Sequence, residues 1–102
     1  MAYGAVLSAL ADPTRREVFE RLAAAPHSVA ELARTMPVSR PAVSQHLAVL
    51  KAAGLVNDQP RGAARIYSVR REGLEALQAW LETFAAEAAP PDQRSLASRG
   101  PD

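Results

Sequence analysis

The side chains with the clearest chemistry lie in one short segment, residues 39–53. At about 100° per residue, a helix over this segment gathers small, basic and amide side chains on one arc about 140° wide. The members of this arc are Arg40, Pro41, Ser44, Gln45, Ala48 and Lys51. None is a carboxylate, whereas an ordinary solvated helix, the alternative interpretation, mixes long acids and bases. Gln45 can bind adenine through two hydrogen bonds, Arg40 can reach guanine or a phosphate, and Ser44 can do either, so the arc predicts a helix that lies in the major groove of DNA.

The opposite arc of the same helix is mostly apolar and predicts the contact with the rest of the protein. It consists of Val43, His46, Leu47, Val49 and Leu50. Ser39 suits the N-cap, Pro41 is tolerated in the first turn, and Gly54 suits a left-handed C-terminal cap. Ser39 and the free N–H groups of the helix N-terminus can also hold a phosphate.

The charge of the chain is concentrated around this segment. The whole chain has a net charge of +1, but residues 32–71 contain seven basic residues and one acid, Asp58, for a net charge of +6. Residues 1–31 and 72–102 are mildly acidic. A run of charge is by itself often only a solvated surface, so phosphate binding also needs support from geometry.

Four helices are predicted up to residue 53. The first is indicated by the helical spacing of Tyr3, Val6, Leu7 and Leu10. Asp12 as N-cap and Pro13 in the first position begin a second helix, which reaches about residue 25. Ser28 and Glu31 form the capping-box pattern of a third helix, which ends near residue 35. The fourth helix covers residues 40–53, and the short turn before it gives the helix-turn-helix arrangement.

The pattern beyond Gly54 changes to two short strands, residues 55–59 and 65–69, joined by a loop at residues 60–64. A helix over residues 71–89 follows, and residues 90–102 predict a disordered tail because they are rich in Pro, Ser and charge. The predicted fold class is mainly α with a small β-hairpin wing. It is a winged helix-turn-helix of four helices, a hairpin over residues 55–69 and a fifth helix, and residues 1–89 form one domain for DNA binding and dimerisation.

Two further surfaces follow from this fold. Arg61 and Arg65 flank the hairpin tip, where they can reach the minor groove or its phosphates; the alternative is that they only keep the tip soluble. The final helix carries an apolar stripe that the small domain has little means to cover, and it predicts a dimer interface rather than an ordinary core. We expect this interface to contain Leu74, Leu77, Trp80, Leu81 and Phe84 of the final helix, joined by Leu7 and Leu10 of the first helix.

Several function classes are disfavoured by what the chain contains. Cysteine is absent, so thiolate metal sites and disulfides are excluded. No apolar run approaches the roughly 20 residues of a membrane span, and we expect a cytoplasmic protein without cofactor. Ser44 and His46 cannot form a catalytic pair because residues two apart on a helix point about 200° from each other. We expect no catalytic residues and no enzymatic function.

Five motifs closely resemble the ArsR/SmtB regulators. They are residues 9–16 (ALADPTRR), 28–33 (SVAELA), 38–47 (VSRPAVSQHL), 53–56 (AGLV) and 65–67 (RIY). The resemblance covers about residues 5–85. It implies a homodimeric winged helix that binds palindromic operator DNA, usually as a repressor, with the first and last helices at the dimer interface.

The chain departs from the metal-sensing members of that family. The stretch that carries their cysteines reads here from Glu31 to Met36 without a thiol, and the last helix offers only glutamates without histidine. These glutamates are Glu72, Glu75, Glu82 and Glu87. We therefore expect the metal-independent branch, no metal site, and an effector that the sequence does not indicate. The alternatives are a winged-helix module for protein interaction and a ligand- or metal-responsive sensor.

Overall fold

The computed structural model describes residues 2–88. Its elements are α1 (Ala2–Ala11), α2 (Pro13–Ala24), β1 (His27–Ser28), α3 (Val29–Thr35), α4 (Arg40–Ala52), β2 (Val56–Arg61), β3 (Ala64–Val69) and α5 (Arg71–Ala88). Four helices, a β-hairpin and a fifth helix follow each other in the predicted order, which confirms the winged helix-turn-helix fold. The predicted tail at residues 90–102 lies outside the described residues.

The predicted N-caps of α2 and α4 are both present. The Asp12 carboxylate accepts a hydrogen bond from the Arg15 N–H at 2.8 Å, and this bond lowers the pKa of Asp12. The Ser39 hydroxyl accepts from the Ala42 N–H at 3.2 Å. Both caps have extended backbone and are followed by proline in the first turn of the helix, so each helix begins where local sequence chemistry favours it.

The residues just before α3 take part both in the predicted capping box and in a short strand, β1, that was not predicted from the sequence. The Ser28 N–H donates to the Glu31 carboxylate at 2.7 Å, and the Glu31 N–H donates to the Ser28 hydroxyl at 3.1 Å. The extended backbone of an N-cap lets His27 and Ser28 pair with β3, opposite Tyr67 and Ile66. This strand could not be predicted from the sequence, because two residues are too few to show the alternation that marks a strand.

The hairpin is longer and its turn is tighter than predicted. β2 and β3 are antiparallel in a sheet of order β1-β3-β2, and only residues 62 and 63 separate them. The predicted loop at residues 60–64 was therefore wrong at both ends. The predicted strand stopped before Pro60 because proline usually breaks a strand, but Pro60 lies within β2 opposite Arg65. β2 is an edge strand, where a proline costs no hydrogen bond of the ladder.

The hydrophobic core lies between the helices and the base of the hairpin. It contains Val6, Ala9, Val18, Phe19, Leu22, Leu32, Met36, Val43, Leu47, Leu50, Leu55 and Val56. Three of these residues belong to the inner face of α4, as predicted. Val49 was predicted there too, but it is 40% exposed. The neighbouring elements cover a narrower arc of α4 than the apolar pattern indicates, and Val49 lies beyond the edge of that arc.

Two glycines allow α5 to approach the end of α4. Gly54 has a φ of 78°, the left-handed conformation predicted for the C-terminal cap of α4. A Cβ atom at Gly73 would overlap the carbonyl oxygen of Gly54, so only glycine fits at this contact. The Arg70 N–H also donates to the Leu55 carbonyl at 2.8 Å. The first turns of α5 are thereby held against the core, where Leu74 and Leu77 are partly buried.

None of the helices within residues 2–88 is both long and apolar enough to span a lipid bilayer.

Replacing Ser28 with alanine tests the capping box. We expect Ser28→Ala to lower the free energy of unfolding by about 1 kcal/mol, because the Glu31 N–H loses its acceptor at a nearly buried position. For a domain of this size that corresponds to a melting temperature about 4–8 °C lower, measurable by circular dichroism. The control is Ser8→Ala, which truncates an exposed serine on α1. Equal melting temperatures of the two variants would contradict the role of Ser28.

Candidate nucleic-acid interface

The outer face of α4 is exposed along its whole length. Arg40, Pro41, Ser44, Gln45, Ala48 and Lys51 are all exposed, as the helical wheel predicts. On the inner face Val43, Leu47 and Leu50 have no accessible surface. Because these three side chains cannot leave the core without large loss of apolar burial, they also determine which side chains α4 presents outward.

The N-terminus of α4 faces the wing across a groove. Arg40, the first residue of α4, and Arg65, on β3, both line this groove. Its other walls are formed by Ser28, Val29, Ala30, Ala63, Ala64 and Tyr67. Two guanidinium groups therefore border one concave surface between the two elements that were predicted to contact DNA, and such a surface suits a phosphate backbone.

Two of the predicted DNA-contacting cations are paired with one carboxylate. Lys51 Nζ lies 2.7 Å from Asp58 Oδ1, and Arg65 Nε donates to Asp58 Oδ2. The side chain of Asp58 is 6% exposed, whereas those of Lys51 and Arg65 are 56% and 53% exposed. The carboxylate thus lies beneath the two cations and links the last turn of α4 to both strands of the wing.

This ion-pair cluster changes the ionisation of its members. Hydrogen bonds from Lys51 and then from Arg65 hold the pKa of Asp58 below its ordinary value of 3.8. The same contact with Asp58 raises the pKa of Arg65. Asp58 was not among the functional residues predicted from the sequence. Its position could have indicated a role, because it is the only acid among residues 32–71, a segment with seven basic residues.

The remaining predicted wing residue is differently placed. Arg61 ends β2 next to the two-residue turn and is exposed. Lys51 and Arg65 are also exposed but share Asp58, so the three cations of this region are not equivalent. Arg61 therefore extends the cationic surface to the hairpin tip.

A second surface is formed by α1 and α5, which pack against each other. Trp80 stacks on Tyr3 with ring centroids 5.2 Å apart, and Phe84 meets Trp80 edge to face at the same distance. Leu7, Leu81 and Phe84 are 42%, 50% and 51% exposed. The other predicted interface residues, Leu10, Leu74 and Leu77, pack partly buried against the core of the same chain. Tyr3 belongs to the aromatic cluster but was not predicted for the interface.

Within residues 2–88, no three histidine or acidic side chains come together in a way that could hold a metal ion. Glu72, one of the glutamates considered in the sequence analysis, lies near the Arg70 guanidinium at 3.6 Å. Independence from metal stays a prediction.

Comparison with known proteins gives one consistent answer. Residues 10–59 match a family described as a helix-turn-helix domain. The chain is 52% identical over 94 residues to the HTH-type transcriptional regulator Rv2034 of Mycobacterium tuberculosis, covering 92% of this chain and 88% of that protein. It is 30% identical over 79 residues to the transcriptional repressor SdpR of Bacillus subtilis, covering 78% and 88%. The solved structure of an ArsR-like transcriptional regulator from Rhodococcus sp. RHA1 superposes with a TM-score of 0.77 at 35% identity, covering 95% and 88%.

The fold and the exposed cationic helix define a winged helix-turn-helix DNA-binding protein. The chain belongs to the ArsR/SmtB family, and it is a DNA-binding transcriptional regulator, not an enzyme.

The ionisation of Asp58 tests the ion-pair cluster without DNA. In a carbon-13 NMR titration we expect the Asp58 carboxyl to titrate below 3.8, and Lys51→Gln to raise this pKa towards 3.8. Because the folded pKa is depressed, the stabilisation is present above the unfolded pKa and is lost as the pH falls through the folded pKa. Arg21→Gln, which removes the partner of Glu17 on α2, serves as control and should leave Asp58 unchanged. An Asp58 pKa at or above 3.8 in the unmodified protein would exclude the cluster.

Proposed function

We propose that the protein is a homodimeric repressor that binds an inverted-repeat operator, with α4 in the major groove and the wing against the adjacent backbone. The observation that carries this proposal is the exposed face of α4, which has no carboxylate and combines small, amide and basic side chains. Arg65, which borders a groove with Arg40, is cationic as well, and Arg61 lies at the hairpin tip. We propose residues 1–89 as the DNA-binding and dimerisation domain, and the cytoplasm as the place of action.

Base contacts are assigned to the middle of α4. Gln45 has an exposed amide that can donate to and accept from one adenine edge, and Ser44 can bind several base edges. Arg40 at the first turn can bind guanine or a phosphate. Pro41 and Ala48 are exposed and short, so the helix backbone can approach the base pairs closely.

Backbone contacts are assigned to the periphery of the same face. Ser39 caps α4 with its hydroxyl, and the free N–H groups of the first turn favour a phosphate. Lys51, Arg61 and Arg65 extend the positive surface from the end of α4 to the wing. Contacts of this kind bind every duplex and make the affinity strongly dependent on salt.

The dimer is supported by the apolar surface on α1 and α5. Three of the four large hydrophobic residues found exposed in residues 2–88 lie on these helices, namely Leu7, Leu81 and Phe84. Trp80 lies between them in the aromatic cluster. Leu10, Leu74 and Leu77 lie partly buried below this surface and would support it from the core side. A two-fold dimer would place two copies of α4 about 34 Å apart, one turn of the duplex, which requires an inverted repeat.

Truncation of Gln45 tests the base-reading role. We expect Gln45→Ala to weaken operator binding by about 1–3 kcal/mol at one base pair of each half-site and to spare binding to random duplex. The operator is first located by footprinting the DNA upstream of the protein's own gene. Binding is then measured by fluorescence anisotropy on this duplex and on versions of it that each carry one base-pair substitution.

The matched control is Gln78→Ala, the same truncation at an exposed amide of α5. If Gln45→Ala kept the full operator selectivity of the unmodified protein, Gln45 would not read a base.

A charge on the apolar surface tests the dimer. We expect Trp80→Asp to sediment as a monomer and to bind the operator about a hundredfold more weakly, because each half-site then binds independently. Trp80 also stacks on Tyr3 within the chain, so Leu81→Asp is the second variant; its side chain is already half exposed and contributes little to the core. A control carboxylate is placed at exposed Ser8 of α1 as Ser8→Asp. Sedimentation of both α5 variants as intact dimers would exclude this interface.

A further inference from the structure

We propose that Asp58 limits the positive charge that the protein presents to any DNA backbone and thereby weakens the sequence-independent part of DNA binding. This inference rests on the proposed function, since it concerns the same DNA-facing surface. The inference goes beyond the proposed function because it assigns a role to Asp58, which is not among the proposed DNA-contacting residues.

The geometry separates the carboxylate from the DNA-facing surface. Asp58 lies on β2 opposite Tyr67 of β3, and each of its two oxygens is taken by a different cation. Lys51 and Arg65 are about half exposed above it, and the carboxylate itself is nearly buried. A phosphate approaching from solvent therefore meets the two cations first, but it interacts with a cluster whose net charge is +1 instead of +2.

This charge matters most for DNA of arbitrary sequence. Binding to random duplex depends almost entirely on the counterions that cationic side chains release from phosphates. A cation that is already neutralised by Asp58 releases less, whether its ion pair persists or breaks when DNA binds. Hydrogen bonds from Gln45 and Ser44 to base edges do not depend on this charge. Asp58 therefore lowers the affinity for all duplexes by a similar factor and leaves base discrimination intact, so a smaller share of the protein is retained on DNA by charge alone.

The cluster also connects the two DNA-contacting elements. Lys51 belongs to the last turn of α4, Asp58 to β2 and Arg65 to β3, so one carboxylate holds the wing at a given distance from the recognition helix. A purely structural link of this kind makes a different prediction. Its loss would loosen the wing and weaken binding, and it would not add to the salt dependence.

The experiment compares Asp58→Asn with the unmodified protein on a random-sequence duplex of about 30 base pairs over a range of salt concentrations. Asparagine keeps the shape and an oxygen acceptor but removes the charge. We expect the plot of log affinity against log salt to become steeper by about 0.9 per protomer, equivalent to about threefold more loss of affinity per protomer between 50 and 200 mM salt. At the lowest salt concentration the affinity for the random duplex should rise, and the affinity for an in vitro selected operator should rise by a similar factor.

Three further variants isolate the charge of the cluster. Glu17→Gln removes the carboxylate that pairs with Arg21 on α2 and changes the total charge by the same amount as Asp58→Asn. Because α2 is not among the proposed DNA-contacting elements, this variant should keep the slope of the unmodified protein. Asp58→Glu retains the charge and should do the same. Adding Lys51→Gln to Asp58→Asn returns the cluster to a net charge of +1 and should restore the original slope.

The outcomes are distinct. A slope for Asp58→Asn that equals that of Glu17→Gln, or is shallower, overturns the inference. If the thermal melt shows that Asp58→Asn does not fold, Asp58→Ser is judged by the same criterion. If the unmodified protein shows no preference for any selected duplex over random DNA, it is the proposed function that fails, whereas a clear preference with unchanged slopes defeats only the role of Asp58.

Discussion

Complete burial of the inner face of α4 is the constraint on which the rest of the structure depends. Val43, Leu47 and Leu50 have no accessible surface, and α4 packs against α1, α2, α3 and β2. A helix with this face buried has no freedom to rotate about its axis, because a turn of even one position would move a leucine into water at a cost of roughly 2 kcal/mol. Burial of this face thereby presents the opposite face, with Arg40, Ser44 and Gln45, to solvent.

Those parts of the fold that depend on local chemistry could be predicted from the sequence. The N-caps at Asp12 and Ser39 and the capping box at Ser28 each need only residues three positions apart, and all three were confirmed. The same residues explain where prediction failed. Strand β1 exists only because β3 lies beside the extended backbone of Ser28, and Pro60 is tolerated only because β2 has no second neighbour. Both depend on the arrangement of strands in space, which residue types within one segment do not encode.

Asp58 shows the same limit for the candidate site. Summing charges along the chain identifies a cationic segment, but a sum treats the single acid as a small correction. The structure brings residues 51, 58 and 65 together from a helix and two strands, and the acid then pairs with two of the predicted DNA-contacting cations. A lone carboxylate in a strongly basic segment lowers the positive charge of that segment, and here it does so at two cations at once. Its position in the sequence was therefore informative, although its partners could not be read from it.

The apolar stripe of α5 is divided between side chains that pack on the core and side chains that are half exposed. The stripe is continuous in sequence, and a helical wheel places Leu74, Leu77, Leu81 and Phe84 on one side. In the structure the division runs along the helix axis, since Leu74 and Leu77 pack on the core while Leu81 and Phe84 are half exposed. The contact at Gly73 explains this division, because it docks the first turn of α5 on the end of α4 and lets the later turns extend past the core. There α1 accompanies these turns, since Tyr3 of α1 stacks on Trp80 of α5. A stripe that extends past its own core in this way leaves Leu81 and Phe84 half exposed, and these are side chains that the proposed dimer would cover. They lie on α5, whereas the proposed DNA contacts lie on α4 and the wing, so the two proposed interfaces use different residues.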